Sequence, residues 1–454
     1  MIDFKKFAKY SKPGPRYTSY PTALEFSDSF DANSYIESLE RNMHLPLSLY
    51  VHLPFCKSAC YFCGCNVIYT SKEDKKQEYI KYLQKEITLL KKYLDTNREV
   101  LQFHFGGGTP TFYDAKSLDI ILKSIRDVFG NFSNNAEISC EIDPRYFNEE
   151  QMKVLSDYGF NRLSFGVQDF DSDVQKSIHR FQSFDLVQGA VDLAQKYGIK
   201  YINFDLIYGL PKQSLDSFKA TLDSVLKIKP TRLAVFNYAH IPWIKKTMRK
   251  IDESMLPTPS IKLSILEYVI DCLTSNGYKM IGMDHFALEN DELYQASLKG
   301  ELKRNFQGYT AKKHTQTIGL GITSIGEGHD YYAQNHKDLS LYMQCLDNGI
   351  LPIQRGIRLS DEDRLRKNVI MRLMNNLRLD IKHIEKKFDI NFKEHFKDSI
   401  NDLQEYINLG LLEINDDEIK ISHTGGMLIR NIVMVFDEYL IKTNTNDKRF
   451  SKTV

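Results

Sequence analysis

Four cysteines lie close together in the segment H-L-P-F-C-K-S-A-C-Y-F-C-G-C (52–65). Cys56, Cys60 and Cys63 follow the spacing C-x3-C-x2-C, in which three thiolates can hold three irons of a 4Fe–4S cluster. An electron-transfer ferredoxin closes its cluster with four cysteines. A site with three cysteines leaves one iron without a protein ligand, so this spacing predicts chemistry at that iron rather than electron storage alone.

Cys65 leaves two other uses of this segment open. A structural zinc site needs four nitrogen or sulfur ligands, and Cys65 could supply the fourth. A closed 4Fe–4S cluster could recruit the same thiol. The zinc alternative would crowd Cys60, Cys63 and Cys65 into one short turn, so the spacing favours a cluster held by three cysteines. The remaining cysteines are scattered among apolar residues and are predicted to be ordinary buried thiols: Cys140, Cys272 and Cys345.

Short apolar segments alternate with amphipathic helical patterns from residue 47 onward. Six such units in succession predict an α/β fold with a parallel sheet and right-handed crossovers. Six strands are fewer than the eight of a closed barrel, so we expect a partial (β/α)6 barrel. The predicted strands are 47–52, 100–105, 137–142, 162–167, 201–207 and 232–238, and the helical patterns between them are 77–94, 115–129, 149–158 and 184–197.

Polar residues recur where these predicted strands end. The run G-G-G-T-P (106–110) follows the second strand, and G-V-Q-D (166–169) ends the fourth. Strand alternation puts Glu141 and Asp143 on one side of the third strand. Asp205 lies between apolar residues in the fifth strand, where a buried carboxylate needs a partner or a ligand. Because the active site of a β/α barrel lies at the carboxyl edge of the strands, we expect these groups to share one site.

Histidines and arginines give weaker signals. A histidine on a predicted strand or loop is more often part of the core than a catalyst, and this applies to His52, His104, His240 and His285. The planar guanidinium group suits carboxylate binding, and the candidates for that role are Arg16, Arg180 and Arg304.

The ends of the chain differ from its centre. Residues 1–35 are predicted to form an extended N-terminal arm over the active site that packs through its aromatic residues, and residues 36–358 to form the catalytic barrel. Residues 359–454 are predicted to form a mostly helical, winged-helix-like domain that acts as a lid, with helices at 360–375, 382–387, 392–408 and 426–442. A winged-helix-like domain suggests DNA binding, but the hairpin between the last two helices has an acidic tip, D-D-E (416–418). The phosphates of DNA would be repelled by this tip, so a structural lid is favoured.

Charge and hydropathy exclude several function classes. Lys and Arg number 60 against 59 Asp and Glu, so no basic field predicts a nucleic acid partner. We find no run of 18 apolar residues, and the N-terminus is too charged for a secretory signal. A cytoplasmic, monomeric protein is therefore expected, with its cysteines in a reducing compartment.

The cysteine segment together with the G-G-G-T-P run resembles the radical S-adenosylmethionine superfamily. Within it, the chain is similar to the oxygen-independent coproporphyrinogen III oxidases (coproporphyrinogen dehydrogenases) from the arm to the R-N-I segment at 430–432. The matching segments are P-R-Y-T-S-Y-P-T-A (15–23), F-C-K-S-A-C-Y-F-C-G-C-N (55–66), N-R-L-S-F-G-V-Q-D-F (161–170), D-L-I-Y-G-L-P-K (205–212), V-F-N-Y-A-H (235–240), I-G-M-D-H-F-A (281–287) and R-N-F-Q-G-Y-T (304–310).

The resemblance implies a 4Fe–4S cluster and S-adenosylmethionine as cofactors, with two S-adenosylmethionine molecules in each active site. It implies that a 5′-deoxyadenosyl radical removes hydrogen from substrate propionates. Two propionates of coproporphyrinogen III would lose CO2 and become the vinyl groups of protoporphyrinogen IX, in heme biosynthesis. An electron donor and an electron acceptor, neither identified by the sequence, would complete the reaction.

The resemblance also assigns residues by position. Cys56, Cys60 and Cys63 match the cluster ligands. The residues that match contacts of the first S-adenosylmethionine are Tyr50, Gly107, Glu141 and Ile325. Those that match contacts of the second are Phe62, Gly108, Thr109, Gln168, Arg180, Asp205 and Ala239.

Two alternatives remain beside the oxidase. A heme chaperone of the same superfamily would bind heme without oxidase activity, but such proteins usually have an aromatic residue at the position of Cys65 and lack the P-R-Y-T-S-Y-P arm. A non-enzymatic zinc or iron–sulfur module would need Cys65 as its fourth ligand.

Overall fold

The computed structural model describes residues 9–10, 12–442 and 450. These residues form two compact units. The sheet unit comprises residues 26–269 and 312–358, and the terminal unit comprises the described parts of 1–25, 270–311 and 359–454. Strands and helices are numbered below in chain order over the whole chain. The predicted boundaries at residues 35 and 358 remain a prediction.

The sheet unit is built on a large, mostly parallel sheet. Its strand order is β16-β15-β14-β13-β1-β4-β5-β6-β7-β8, parallel from β13 to β8 and antiparallel from β13 to β16. The strands are β1 (Leu47–Leu53), β4 (Val100–Gly107), β5 (Phe132–Ile142), β6 (Arg162–Gln168), β7 (Tyr201–Tyr208), β8 (Arg232–Asn237), β13 (Gln316–Leu320), β14 (Ile325–Glu327), β15 (Tyr331–Asn335) and β16 (Ile353–Arg358). The short strands β2 (Phe55–Cys56) and β3 (Ile68–Tyr69) pair with each other.

Helices follow the parallel strands in the predicted alternation, so the α/β fold is confirmed. The helices that begin in this unit are α1 (Ala32–Arg41), α2 (Glu73–Leu90), α3 (Ala115–Val128), α4 (Glu149–Asp157), α5 (Ser172–Ser177), α6 (Phe184–Lys196), α7 (Leu215–Ile228), α8 (Pro259–Ser275) and α10 (Leu339–Asp347). Side-chain caps fix several helix starts: Asn148 accepts from the Gln151 amide at α4, and Ser214 accepts from the Ser217 amide at α7. Helix α2 begins earlier than its apolar pattern, because Glu73 and Asp74 favour the first turn.

Alternation along a strand decides which side chains face the core. In β7 the buried residues alternate with half-buried ones, so Asn203 and Asp205 share the less buried face. Strands β13 to β16 were absent from the sequence-based prediction. β13 and β15 are buried at every position although they contain Gln, Thr and Asn, so they show no apolar alternation.

The terminal unit has its own apolar core. Tyr10, Tyr17 and Tyr20 of the arm are buried among side chains of residues 365–436, which confirms that the arm packs through its aromatic residues. Its helices are α9 (Glu292–Leu298), α11 (Asp361–Asn376), α12 (Ile381–Phe388), α13 (Phe392–His395), α14 (Lys397–Asp402), α15 (Gln404–Asn408), α16 (His423–Met427), α17 (Ile429–Val433) and α18 (Glu438–Lys442). Its strands are β9 (Tyr278–Ile281), β10 (His285–Leu288), β11 (Lys303–Asn305), β12 (Gly308–Thr310), β17 (Arg378–Asp380), β18 (Leu412–Ile414) and β19 (Glu418–Ile421).

The predicted hairpin is confirmed as β18 and β19, and β17 adds a third strand. Two predicted helices are broken. The 392–408 segment forms three short helices with no Pro or Gly at the breaks. The 426–442 segment is interrupted at Asp437, whose carboxylate accepts hydrogen bonds from the amides of Tyr439 and Leu440 and so starts a new helix. In the described part of the chain, no helix is long and apolar enough to cross a membrane.

Candidate active site

The cysteine segment lies directly after β1, at the carboxyl edge of the parallel strands. Cys56 belongs to β2, Cys60 is buried, and the amide of Cys63 donates to the Cys60 carbonyl at 3.2 Å. Burial raises the pKa of Tyr69, and the neighbouring thiols of Cys63, Cys56, Cys60 and Cys65 raise it further. The loop therefore gathers the three predicted ligands.

Two arginines lie against the Cys60 thiol. Arg145 Nη2 is 3.6 Å and Arg180 Nη1 is 3.7 Å from Cys60 Sγ. Both guanidinium groups are held by Asp143, which accepts from Arg145 Nη2 at 2.7 Å and from Arg180 Nη1 at 3.1 Å. Burial alone would raise the pKa of Asp143, but the two arginines lower it. This arrangement puts fixed positive charge beside a sulfur that must become anionic to bind iron.

The thiols of Cys63 and Cys65 are joined by a hydrogen bond that shifts the pKa of each. Hydrogen bonding from Cys65 lowers the pKa of Cys63, with help from Lys245 and Arg180, while the same contact raises the pKa of Cys65. Burial raises the pKa of Cys56 to about 12, although the hydroxyl of Thr109 lies 3.2 Å from its sulfur. Cys63 is therefore the member of the pair that ionises first, as a ligand must.

The glycine run is packed so tightly that side chains do not fit. A Cβ on Gly108 would lie 2.6 Å from the Pro54 carbonyl oxygen, and Gly107 has φ +118° with its missing Cβ 2.9 Å from the His52 ring. The amide of Gly108 donates to the Leu53 carbonyl at 2.8 Å. These contacts fix the run against β1 and the residues that follow it.

Glu141 stands next to this run. Its Oε2 accepts from the Gly107 amide at 3.1 Å, and its Oε1 lies 3.5 Å from His104 Nε2. The Tyr50 ring stacks on His104 with centroids 5.9 Å apart, and the Tyr50 hydroxyl lies 3.0 Å from His52 Nδ1. Nearly half of the Glu141 side chain stays exposed, so the carboxylate can still accept hydrogen bonds from a ligand.

Asp205 has protein partners. Its Oδ2 accepts from the Ser164 hydroxyl at 2.9 Å and its Oδ1 from Asn203 Nδ2 at 2.9 Å. The carboxylate is half-buried, so the expectation of a buried group is wrong: the open face of β7 carries it, with Asn203 two residues away. Both partners hold the carboxylate in place.

The other predicted cofactor contacts occupy the same unit. Gln168 ends β6 with φ +66°, and Arg180 Nη2 donates to the Gly166 carbonyl at 2.5 Å. Phe62 packs beside Tyr61 against an apolar cluster that includes Ile178. The remaining members stand at element ends: Thr109 after β4, Ala239 after β8 and Ile325 at the start of β14.

Some of the weaker candidates belong elsewhere. His240 bridges the Tyr238 hydroxyl at 2.9 Å and Glu253 at 3.0 Å, as a structural histidine does. Arg16, Arg304 and His285 lie in the terminal unit.

Two site residues were missed by sequence reasoning. Arg145 stands two residues after Asp143 in E-I-D-P-R, and Lys245 donates to the Cys65 carbonyl at 2.9 Å. The Asp-Pro-Arg segment was a usable signal for Arg145, because Asp143 caps the turn that carries it. No local pattern marks Lys245, which is 180 residues from Cys65 in sequence.

The donor set fits a 4Fe–4S cluster. Three thiols lie on one loop, with arginines beside one sulfur and a lysine near another, which suits an anionic cluster. Among the described residues, no three His, Cys, Asp or Glu side chains converge as ligands of a single metal ion. A cube of four irons requires thiolates spread around a larger body.

Comparisons with known proteins agree with this site. Residues 50–225 match the Radical SAM superfamily, and residues 359–428 match the HemN C-terminal domain. The chain is 60% identical to the oxygen-independent coproporphyrinogen III oxidase of Helicobacter pylori strain J99, over 100% of this chain and 99% of that protein. It is 43% identical to the protein of the same name from Escherichia coli K12, over 100% and 98%.

A solved structure is also similar over nearly the whole fold. It is that of coproporphyrinogen III oxidase (HemN) from Escherichia coli, described as a radical SAM enzyme, with a TM-score of 0.91 and 44% identity over 94% of this chain and 98% of that one. The chain is accordingly an oxidoreductase that uses a 4Fe–4S cluster and S-adenosylmethionine. It belongs to the oxygen-independent coproporphyrinogen III oxidase family of the radical S-adenosylmethionine superfamily.

Proposed function

We propose that the chain converts two propionate side chains of coproporphyrinogen III to vinyl groups, giving protoporphyrinogen IX without oxygen. The observation that carries this proposal is the whole-length similarity to coproporphyrinogen III oxidases, which includes the arm and the C-terminal region as well as the catalytic segments. A likeness confined to the radical SAM segment would have supported the superfamily alone.

The overall chemistry sets what the site must do. Each propionate gives up one hydrogen atom from its β-carbon, one CO2 and one electron, and the bond between its two methylene carbons becomes a double bond. When bound, the cluster and S-adenosylmethionine supply the one-electron chemistry that removes the hydrogen atom. The protein has to hold both reactants and keep water away.

The cysteine loop and its arginines hold the cluster. Cys56, Cys60 and Cys63 are the ligands, and Asp143 keeps Arg145 and Arg180 beside the Cys60 sulfur. Charge-assisted hydrogen bonds to that sulfur stabilise its thiolate form. Because the guanidinium groups are already fixed by Asp143, they need no reorganisation when the charge on the sulfur changes.

The carboxylates and glycines hold the S-adenosylmethionine. Glu141 accepts hydrogen bonds, which suits ribose hydroxyls or an ammonium group. The residues assigned to the first molecule are Tyr50, Gly107, Glu141 and Ile325. A second molecule would contact Phe62, Gly108, Thr109, Gln168, Arg180, Asp205 and Ala239; Asp205 supports this because Ser164 and Asn203 fix its orientation.

The remaining parts of the proposal concern partners and location. The balance of the reaction requires an external one-electron donor for the cofactors and an acceptor for the electron released at each decarboxylation. We place the enzyme in the cytoplasm as a monomer. Light scattering of the purified protein tests the monomer, with a mass of 52.8 kDa expected.

The test is turnover under anaerobic conditions. Protein reconstituted with iron and sulfide is given S-adenosylmethionine, a reductant and coproporphyrinogen III, and its products are separated by chromatography. We expect a monovinyl intermediate followed by protoporphyrinogen IX. Cluster-loaded protein that yields no vinyl product would reject the proposal, and tight heme binding by that same sample would favour the heme-chaperone alternative.

A further inference from the structure

The terminal unit contains a group of basic side chains that the cofactor site does not use. Arg304 lies on β11, Arg430 on α17, and Arg16 on the arm segment that precedes the buried Tyr17. We call these three residues the arginine cluster. All three interact through their charges with Asp284, which lies between β9 and β10.

The four side chains are close enough to influence one another strongly. Burial would raise the pKa of Asp284, but His285, Arg304 and Arg16 together hold it well below its usual range. Burial and the charges of Arg16 and Arg304 together lower the pKa of Arg430 to about 10. The three guanidinium groups therefore repel each other in a partly desolvated place, with Asp284 as the carboxylate that most offsets them.

Hydrogen bonds tie the arginine cluster to the backbone of the N-terminal arm. Arg430 Nε donates to the Pro15 carbonyl at 2.9 Å, and its Nη2 donates to the Gly14 carbonyl. Arg304 Nη1 reaches the carbonyl of Arg16 at 3.5 Å. Arg430 is thus committed to anchoring the arm, and Arg304 reaches the backbone of the same arm segment at Arg16.

Arg304 keeps binding capacity. Its Nε is buried and has no hydrogen-bond partner, and such an orphaned charged donor is costly without a ligand. Its guanidinium carbon lies 5.0 Å from the centre of the Tyr309 ring, which also packs edge-on against His285 at 4.9 Å. Gly282 leaves room for this ring, because a Cβ there would lie 1.9 Å from the Tyr309 hydroxyl. The Arg304 guanidinium group is therefore packed near the Tyr309 ring.

A carboxylate is the ligand that fits these observations. The arginine cluster carries three permanent positive charges, and Asp284 carries one negative charge. An added anion would therefore offset more of the repulsion among the three guanidinium groups. The fork of a guanidinium group matches a carboxylate in two-point hydrogen bonding. Since the substrate proposed above carries four propionates, it provides such groups.

We propose that Arg304 and Arg16, supported by Arg430, bind a propionate carboxylate of the porphyrinogen substrate and act as substrate-positioning residues. This inference rests on the proposed function. It assigns the arginine cluster to substrate binding. Binding of the 4Fe–4S cluster and of S-adenosylmethionine remains assigned to the sheet unit.

The test measures binding apart from turnover. The fluorescence of coproporphyrin III, the air-stable oxidised form of the substrate with the same four propionates, is titrated with reconstituted holoenzyme. We expect Arg304→Gln and Arg16→Gln each to weaken binding by roughly tenfold or more, as loss of a charge-assisted contact does. Arg304→Lys should recover part of the affinity, because it restores the charge without the planar fork. The matched control is Arg378→Gln, whose exposed side chain pairs with Glu418 in the same unit and should not change the affinity.

Turnover separates this inference from the proposed function. Arg304→Gln should raise the KM for coproporphyrinogen about as much as it weakens coproporphyrin binding, with kcat and S-adenosylmethionine binding little changed. Binding within twofold of wild type in both glutamine variants would overturn the inference, even if the wild type makes vinyl product. Arginine-dependent binding in a wild type that makes no vinyl product would support the carboxylate site and reject the proposed function alone.

Discussion

Asp143 holds the Arg180 guanidinium beside the cluster loop: Arg180 Nη1 donates to Asp143 Oδ2 at 3.1 Å and lies 3.7 Å from Cys60 Sγ. Arg145 Nη2 contacts the same carboxylate oxygen and the same sulfur. All three side chains are largely buried. These buried ion pairs therefore lie beside Cys60, one of the predicted cluster ligands.

Asp143→Asn should destabilise the sheet unit and impair cluster retention. Removing one partner from a buried ion pair leaves uncompensated charge and costs roughly 3 kcal/mol or more. We expect a lower free energy of unfolding in urea and fewer irons per chain after reconstitution. Asp157→Asn is the control, because it breaks only an exposed pair with Lys153. Equal stability and iron content in both variants would contradict this role of Asp143.

Cys65→Ser should retain the iron–sulfur cluster, whereas Cys60→Ser should lose it. Cys60 is a predicted cluster ligand, while Cys65 is exposed and affects the ionisation of its neighbour Cys63. Iron and sulfide analysis of the reconstituted variants measures the difference, with Cys345→Ser as a control distant in sequence. Loss of iron in both Cys60 and Cys65 variants would make Cys65 a ligand.

Gly108→Ala should disrupt the glycine run. The new Cβ would lie 2.6 Å from the Pro54 carbonyl oxygen, which is backbone and cannot rotate away. Overpacking of this kind costs about 1–3 kcal/mol, and we expect weaker S-adenosylmethionine binding by calorimetry. Gly189→Ala is the matched control: it lies in α6 with nothing within 4 Å of its Cβ, and should stabilise the helix by up to about 1 kcal/mol. Unchanged binding in the Gly108 variant would count against the predicted contact.

Glu86 should make stability depend on pH. It is buried in α2 and accepts from the Gly321 amide, the Tyr342 hydroxyl and Asn335 Nδ2 at 2.6–2.7 Å. Burial raises its pKa from 4.5 to about 7. Since the folded pKa exceeds the unfolded one, the stabilisation is complete below pH 4.5 and is lost as the pH rises through 7.

The shift corresponds to about 3 kcal/mol at about 1.4 kcal/mol per pKa unit. The wild type should therefore gain stability as the pH falls from 8 to 5.5, and Glu86→Gln should gain less. Thermal melting across this range measures both, with Glu78→Gln on the exposed face of the same helix as the control. Parallel pH profiles for wild type and Glu86→Gln would contradict the shifted pKa.

The parts of the site that sequence could predict are those encoded locally. The cysteine spacing, the glycine run and the six strands are each recognisable from a short stretch of sequence. The structure has the six strands in the expected order, with the cysteine loop after the first and the glycine run at the end of the second. Asn203 could have been predicted as a partner of Asp205, since two residues in one strand share a face. Ser164 could not, because its contact depends on the pairing of β6 with β7.

The unpredicted features depend on tertiary structure. β13 and β15 are buried on both faces and lack alternation, so no periodicity marked them. Lys245 reaches the cysteine loop only because the fold brings together segments that lie 180 residues apart in sequence. The helix break at Asp437 arises because its side chain caps the helix that follows. In the sequence, this aspartate lies within an apolar helical pattern, so its role as a cap was not apparent.

The most direct test of the site is the electron paramagnetic resonance spectrum of the reduced, reconstituted protein before and after S-adenosylmethionine is added. With three cysteine ligands, one iron is open to S-adenosylmethionine, so the spectrum should change in the wild type and in Cys65→Ser alike. A cluster signal that stays the same on addition of S-adenosylmethionine would mean that the fourth iron is already ligated, and would contradict the account.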